Sequence, residues 1–191
     1  LVNAEVALNS NGRISSKRDL NATINTLNNQ KGEVVAQGNL TLKGSQLDNR
    51  TGGLVGSTKA LSLDVSDIDN RGGELSSSAD VRITASQLNN SRLGKVLAGA
   101  AMGLNIANVF NQDNGLIYAG SALRLDGGLL NNSDGTLSGQ TDLTVNLSGD
   151  LENGSGLLSS EGTLNVTAQT LTNTAGKVSS ADAYLSSPTV R

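Results

Sequence analysis

The chain has 191 residues, a formal net charge of −3 and neither cysteine nor histidine; 36% of it is hydrophobic but only 2% aromatic. That balance argues against a nucleic-acid binder, which needs a basic face, and against nucleophile–base catalysis built on His or Cys. With no apolar run of roughly 18 residues it also argues against a transmembrane helix.

The elements in chain order are copies of one unit. An apolar–x–Asn tripeptide recurs as Leu27-Asn28-Asn29, Leu47-Asp48-Asn49, Ile68-Asp69-Asn70 and Leu88-Asn89-Asn90. It continues as Val109-Phe110-Asn111, Leu130-Asn131-Asn132, Leu151-Glu152-Asn153 and Leu171-Thr172-Asn173. The steps between the asparagines are 20, 21, 20, 21, 21, 21 and 20 residues. Leu8-Asn9-Ser10 reads as a degenerate first copy, with Ser10 in the asparagine position, 19 before Asn29. Glycine usually follows three residues on (Gly32, Gly52, Gly73, Gly135, Gly156, Gly176), and an aliphatic five on (Val34, Leu54, Leu75, Leu116, Leu137, Leu158, Val178). A small residue comes next (Ala36, Gly56, Ser77, Gly139), and then two aliphatics separated by one residue, as in Leu40/Leu42 and Leu61/Leu63.

Each copy therefore holds short runs of period-two alternation, which read as strands, separated by Gly, Asn, Asp and Ser turns. Helical periodicity is missing. About twenty residues accommodate three short strands and three turns, one triangular coil. A single coil cannot bury its own apolar face, whereas a stack buries a continuous column. This accounts for a core of Leu, Val, Ile and Ala with 23 glycines and one proline, Pro188. The expected fold is all-β: a right-handed parallel β-helix of about nine coils of 20–21 residues. It forms one repeat domain over residues 1–191, with clear repeats at 8–185. A leucine-rich repeat would place its asparagine three residues after a Leu-x-Leu pair, but Asn49 lies seven after Leu42.

In Leu47-Asp48-Asn49 the first and third residues share a face. Leu47 must face the core, so the asparagines are expected inside as well, bonded coil to coil like the amide ladders of cross-β stacks. The expected column is Asn29, Asn49, Asn70, Asn90, Asn111, Asn132, Asn153 and Asn173. The flanking Asp48, Arg50, Asp69 and Arg71 point outward as a surface patch. Solvated ion pairs are its plain reading, and a contact site for a partner is the functional one. Coil 88–108 departs from the pattern, because Lys95 stands where an aliphatic is expected. A one-residue bulge restores Val96 to the core; otherwise Val96–Leu104 is an exposed apolar patch. No catalytic constellation, metal set or cofactor motif is present. Phe110, Tyr118 and Tyr184 lie in different phases of the repeat and form no stacking platform.

The repeated pattern, as it stands in LDNRTGGLVGSTKALSLDV and IDNRGGELSSSADVRIT, resembles the haemagglutinin repeat of the filamentous haemagglutinin adhesins. Similar repeats form the stalks of contact-dependent inhibition toxins. The resemblance implies a virulence-associated bacterial exoprotein exported by two-partner secretion. It would be a rigid, non-enzymatic, adhesive filament segment at the cell surface. Its partners would be host-cell glycans or receptors, engaged through the parent protein, and an outer-membrane secretion partner, engaged through a domain outside this segment. Nucleic acid and membrane insertion are not expected. The Asn-Pro motif of the secretion domain is absent, and the chain starts at Leu1 without a signal sequence; an interior segment of a longer filament is the expectation. The alternatives are a toxin stalk and a carbohydrate-binding β-helix.

Overall fold

The computed structural model describes residues 1–191 and contains strands and turns but no helix. Seven long strands alternate with seven short ones at first: β1 (Val2–Leu8), β2 (Arg13–Ser16), β3 (Leu20–Asn28), β4 (Glu33–Ala36), β5 (Leu40–Asp48), β6 (Leu54–Ser57) and β7 (Leu61–Asp69). Next come β8 (Glu74–Ser77), β9 (Val81–Asn89), β10 (Lys95–Ala98), β11 (Met102–Phe110), β12 (Leu116–Ala119), β13 (Leu123–Asn131) and β14 (Thr136–Gly139). Beyond these the long strand divides in two. The remaining strands are β15 (Leu143–Leu147), β16 (Asp150–Glu152), β17 (Leu157–Ser159), β18 (Thr163–Thr167), β19 (Thr170–Thr172), β20 (Lys177–Ser179), β21 (Asp182–Ser186) and β22 (Thr189–Val190).

All pairing is parallel and joins each strand to its equivalent one coil away. One sheet runs β2-β4-β6-β8-β10-β12-β14-β17-β20, and a thirteen-stranded sheet carries the long strands. Nine short strands mean nine coils, and at about 4.8 Å per coil the solenoid is roughly 40 Å long. Register columns are chemically uniform, as in Leu40↔Leu61 and Leu61↔Val81, because each inward position meets the same environment in every coil.

The coil has two strands, not the three expected from sequence, through β14. Long strands bend instead of breaking. In β7 the burial alternates over Leu61, Leu63 and Val65, then two consecutive residues, Ser66 and Asp67, face out before Ile68 turns in. That double outward step is the third corner. In the eighth coil an extra residue enters this corner, since Leu147 and Leu151 are four apart where Val65 and Ile68 are three, and the ladder opens there.

A single cluster of 39 buried apolar residues runs from Leu20 to Leu171, so the core is one column without a gap between coils. Its phase differs from the sequence reading at two turns. Val55 and Ile117 are the buried residues, not Leu54 and Leu116; Gly53 and Ser57 replace Gly52 and Gly56 in their columns. Val96 is likewise buried and Lys95 is exposed. The turns after Asn49, Asn90 and Asn111 each hold one more residue than the others. The shift at Lys95 is thus one of three, and coil 88–108 is not unusual; Val96, Ala98, Met102 and Leu104 are all buried.

Backbone conformation shows where the extra residue goes. Two residues after each column asparagine the chain is left-handed, as at Asn11 (φ 55), Lys31 (φ 55), Gly72 (φ 64) and Asp134 (φ 56). The three longer turns hold two such residues in succession: Thr51/Gly52, Arg92/Leu93 and Asp113/Asn114. Leu93 has φ 67 and is 66% exposed, a branched side chain in a conformation that costs about 1–2 kcal/mol for most L-residues. Asparagine tolerates it better, and Asn114 occupies the same place one coil on. Leu93→Asn is expected to raise stability by about 0.5–1 kcal/mol. Urea unfolding measures it, and a lower midpoint would mean that the leucine side chain is held by its surroundings.

Candidate functional site

The asparagines lie just past the ends of the long strands, at the first position of each turn, yet they point inward. Asn29, Asn49, Asn70, Asn90, Asn111, Asn132 and Asn153 are each 0% exposed. From Asn9 to Asn153 each Nδ2 donates to the Oδ1 of the asparagine in the next coil. The distances are 2.7 Å from Asn9 to Asn29, from Asn29 to Asn49, from Asn49 to Asn70 and from Asn70 to Asn90. They are 2.8 Å from Asn90 to Asn111, then 2.7 Å for Asn111 to Asn132, Asn132 to Asn153 and Asn153 to Asn173. Each also donates to main-chain carbonyls, as Asn49 does to Gly53 O (3.0 Å) and Glu74 O (3.1 Å). The buried amide dipoles are aligned head to tail through all nine coils, so each bond polarises the next.

Asn9, not Ser10, heads this column. It sits 20 residues before Asn29, with Ala7 paired to Leu27 and Leu8 paired to Asn28. Leu8 is 81% exposed. The apolar residue of the first copy is therefore Ala7; the larger, more hydrophobic Leu8 invited the wrong alignment.

Why glycine follows the asparagine is a matter of clearance. At Gly73 a Cβ would collide with the carbonyl oxygen of Asn49 and lie 2.8 Å from Asn70 Oδ1. The asparagine side chain and the neighbouring coil's backbone together fill the space a side chain would need.

On the outer surface Asp48 and Asp69 are register partners in adjacent coils. Each is gripped from within its own coil. Arg50 donates through Nε and Nη2 to Asp48, both at 2.8 Å, and Arg71 does the same to Asp69 at 2.8 and 2.6 Å. A cross-coil contact, Arg50 Nε to Asp69 at 3.6 Å, links the two pairs. Gln30 adds a hydrogen bond to Asp48 at 2.6 Å, a partner the sequence reading missed. The Arg50 hydrogen bond holds Asp48 below the usual carboxylate range against the opposing effect of partial burial, and Asp48 in turn raises the Arg50 guanidinium. Asp48, Asp69 and Arg71 line an open groove of about 520 Å³ together with Gln46, Asp67 and Gln87.

A third outward arginine–aspartate fork went unnoticed in the sequence although its spacing is the same: Arg124 grips Asp126 through two bonds of 2.6 Å. Asn146 donates to Asp126 from the next coil at 3.0 Å, and that bond leads the lowering of its pKa. Groups lowered in the folded state stabilise it above their unfolded pKa, near 3.9, and lose that contribution as pH falls through and below it. The thermal midpoint is expected to be flat from about pH 8 to 5 and to drop below about pH 4. In the double variant Asp48→Asn/Asp126→Asn the drop should be shallower. Melts followed by circular dichroism at several pH values decide it, and an unchanged slope would assign the acid sensitivity elsewhere. The effect is small, because exposed pairs contribute about 0–1 kcal/mol each.

No group of three or more His, Cys, Asp or Glu converges to hold a metal ion, and no helix is long and apolar enough to cross a membrane. The arrangement offers hydrogen bonding and paired charges, not an activated nucleophile. A family model described as the haemagglutinin repeat matches residues 1–50, 35–102, 83–155 and 135–187, four overlapping stretches that together span nearly the whole chain. Neither the curated proteins nor the solved structures gave a match.

Proposed function

The chain belongs to the haemagglutinin-repeat family, and from that premise we propose that it is a rigid spacer in a secreted, cell-surface attachment filament. The observation that carries the reading is the unbroken register of coils: parallel pairing and the asparagine column run from the first coil to the last. Such a stack transmits length and stiffness rather than chemistry. The segment is not itself an enzyme in this reading, and contact with the host lies elsewhere in the filament.

Phase makes the test clean. Deleting residues 49–89 joins Asp48 to Asn90 and removes two whole coils without shifting any column. The expected filament is still exported, is shorter by about 10 Å, and attaches as before. Loss of attachment that two coils of unrelated sequence do not restore would move the contact onto this segment.

One observation favours a second reading, a glycan contact. The groove beside Asp48, Asp69 and Arg71 presents Gln46, Asp67 and Gln87, side chains that donate to and accept from hydroxyl groups. Binding on a glycan array that is lost with Asp67→Ala/Arg71→Ala would support it. Release of reducing ends from a bound glycan would overturn the spacer reading.

A further inference from the structure

The chain contains three Asn-Gly pairs, Asn11-Gly12, Asn114-Gly115 and Asn153-Gly154, and the fold treats them differently. Glycine leaves its own nitrogen unshielded, so it is the neighbour that best allows attack on an asparagine side chain. Asn153 is a column residue, 0% exposed. Its Oδ1 accepts from Asn132 at 2.7 Å, and its Nδ2 donates to Asn173 at 2.7 Å and to Gly156 O at 3.2 Å. Asn11 and Asn114 are exposed turn residues in the left-handed conformation, with φ 55 and 62. The two turns differ in tightness. Gly12 N–H is held by Asn9 O at 2.9 Å, whereas in the longer turns the corresponding bond lengthens, to 3.3 Å from Gly115 N to Gln112 O.

We propose that Asn114 is a site of spontaneous deamidation, and that its product loosens the central rungs of the asparagine column. The Gly115 backbone nitrogen, having given its proton to base, bonds to Asn114 Cγ. The side-chain nitrogen leaves as ammonia with a proton from solvent, closing a succinimide. One water then opens the ring at either carbonyl, giving aspartate or isoaspartate. No electron transfer is involved. In isoaspartate the main chain runs through the side-chain carbon, so the turn gains an atom between residue 114 and Gly115. Gly115 has little room to move: its carbonyl accepts from Asn111 Nδ2 at 3.1 Å, and its α-carbon abuts the Asn90 carbonyl, which a Cβ would approach to 2.5 Å.

The test is ageing of the folded chain at mildly alkaline pH with peptide mapping. Cleavage after Arg13, Lys95, Arg124 and Lys177 places the three pairs in separate peptides. The expected order of conversion is Asn114 first, Asn11 slower and Asn153 unchanged, with all three converting at similar rates in concentrated urea. Conversion at Asn114 should quicken as pH rises. The aged protein should melt at a lower temperature, and Asn114→Gln should abolish that fall. Freshly made Asn114→Asp, which adds the charge without lengthening the backbone, should melt like the parent. Conversion of Asn153 as fast as Asn114 in the folded chain, or Asn114 intact while its unfolded counterpart converts, overturns the site. An equal melting loss in aged Asn114→Gln overturns the coupling to the column.

Discussion

Asn70→Ala is expected to destabilise the chain by about 2–4 kcal/mol, several times the effect of removing any exposed ion pair. The substitution deletes two amide–amide bonds at once. Asn49 Nδ2 loses its acceptor at 2.7 Å, and Asn90 Oδ1 loses its donor at 2.7 Å. Both orphaned atoms stay buried, since Asn49 and Asn90 are 0% exposed, and a small void replaces the amide. Asn49 keeps its bonds to Gly53 O and Glu74 O, so the Asn90 oxygen carries most of the penalty. Position within the column makes the prediction specific. Asn173 is only half-buried and accepts from a single neighbour, so Asn173→Ala should cost clearly less. The double variant Asn70→Ala/Asn90→Ala should cost less than the sum of its parts, because the two residues share one bond. Equilibrium urea unfolding of the parent and the four variants, the single Asn90→Ala included, gives the answer; equal costs at Asn70 and Asn173 would mean that the column contributes packing alone.

The same uniformity explains what could be read without coordinates. A register column repeats one environment nine times, so the asparagine spacing and the Leu-x-Leu pairs were legible directly from sequence. Phase was harder, for a reason intrinsic to strands: side chains alternate with period two, and a slip of one residue exchanges the two faces. At Leu54-Val55 and Leu116-Ile117 both neighbours are aliphatic, so either register satisfies the core and the fixed offset from asparagine picked the outward one. At Lys95-Val96 the charge forbade the wrong choice, and the shift was visible there alone. The corner within each long strand left no mark, since polar pairs such as Ser66-Asp67 suit a turn and a bent strand equally. Arg124-x-Asp126 needed no new principle; it has the spacing of Asp48-x-Arg50 with the two residues in reverse order, and it lies on another face.

Glycines offer the sharpest contrast, because three of them differ in one variable each. Gly135→Ala is expected to cost about 3 kcal/mol or more, or to prevent folding, since overpacking against backbone has no cheap relief. Its Cβ would collide with the Asn111 carbonyl and come within 2.8 Å of Asn132 Oδ1 and 3.0 Å of Asn111 Nδ2. All of these belong to the hydrogen-bonded column and cannot withdraw without breaking it. Gly52→Ala meets nothing within 4 Å but sits at φ +86, so only conformational strain remains, about 1 kcal/mol. Gly103→Ala also meets nothing within 4 Å, on the outer face of β11 with ordinary strand dihedrals, and should lie within about 0.5 kcal/mol of the parent. Thermal and urea unfolding of the three variants should rank them in that order. Because every coil repeats the asparagine–glycine contact, Gly73→Ala must behave like Gly135→Ala. A mild effect at either would mean that adjacent coils can move apart locally, and the stiffness assigned to the rod would then have to come from the strand ladders rather than from the column.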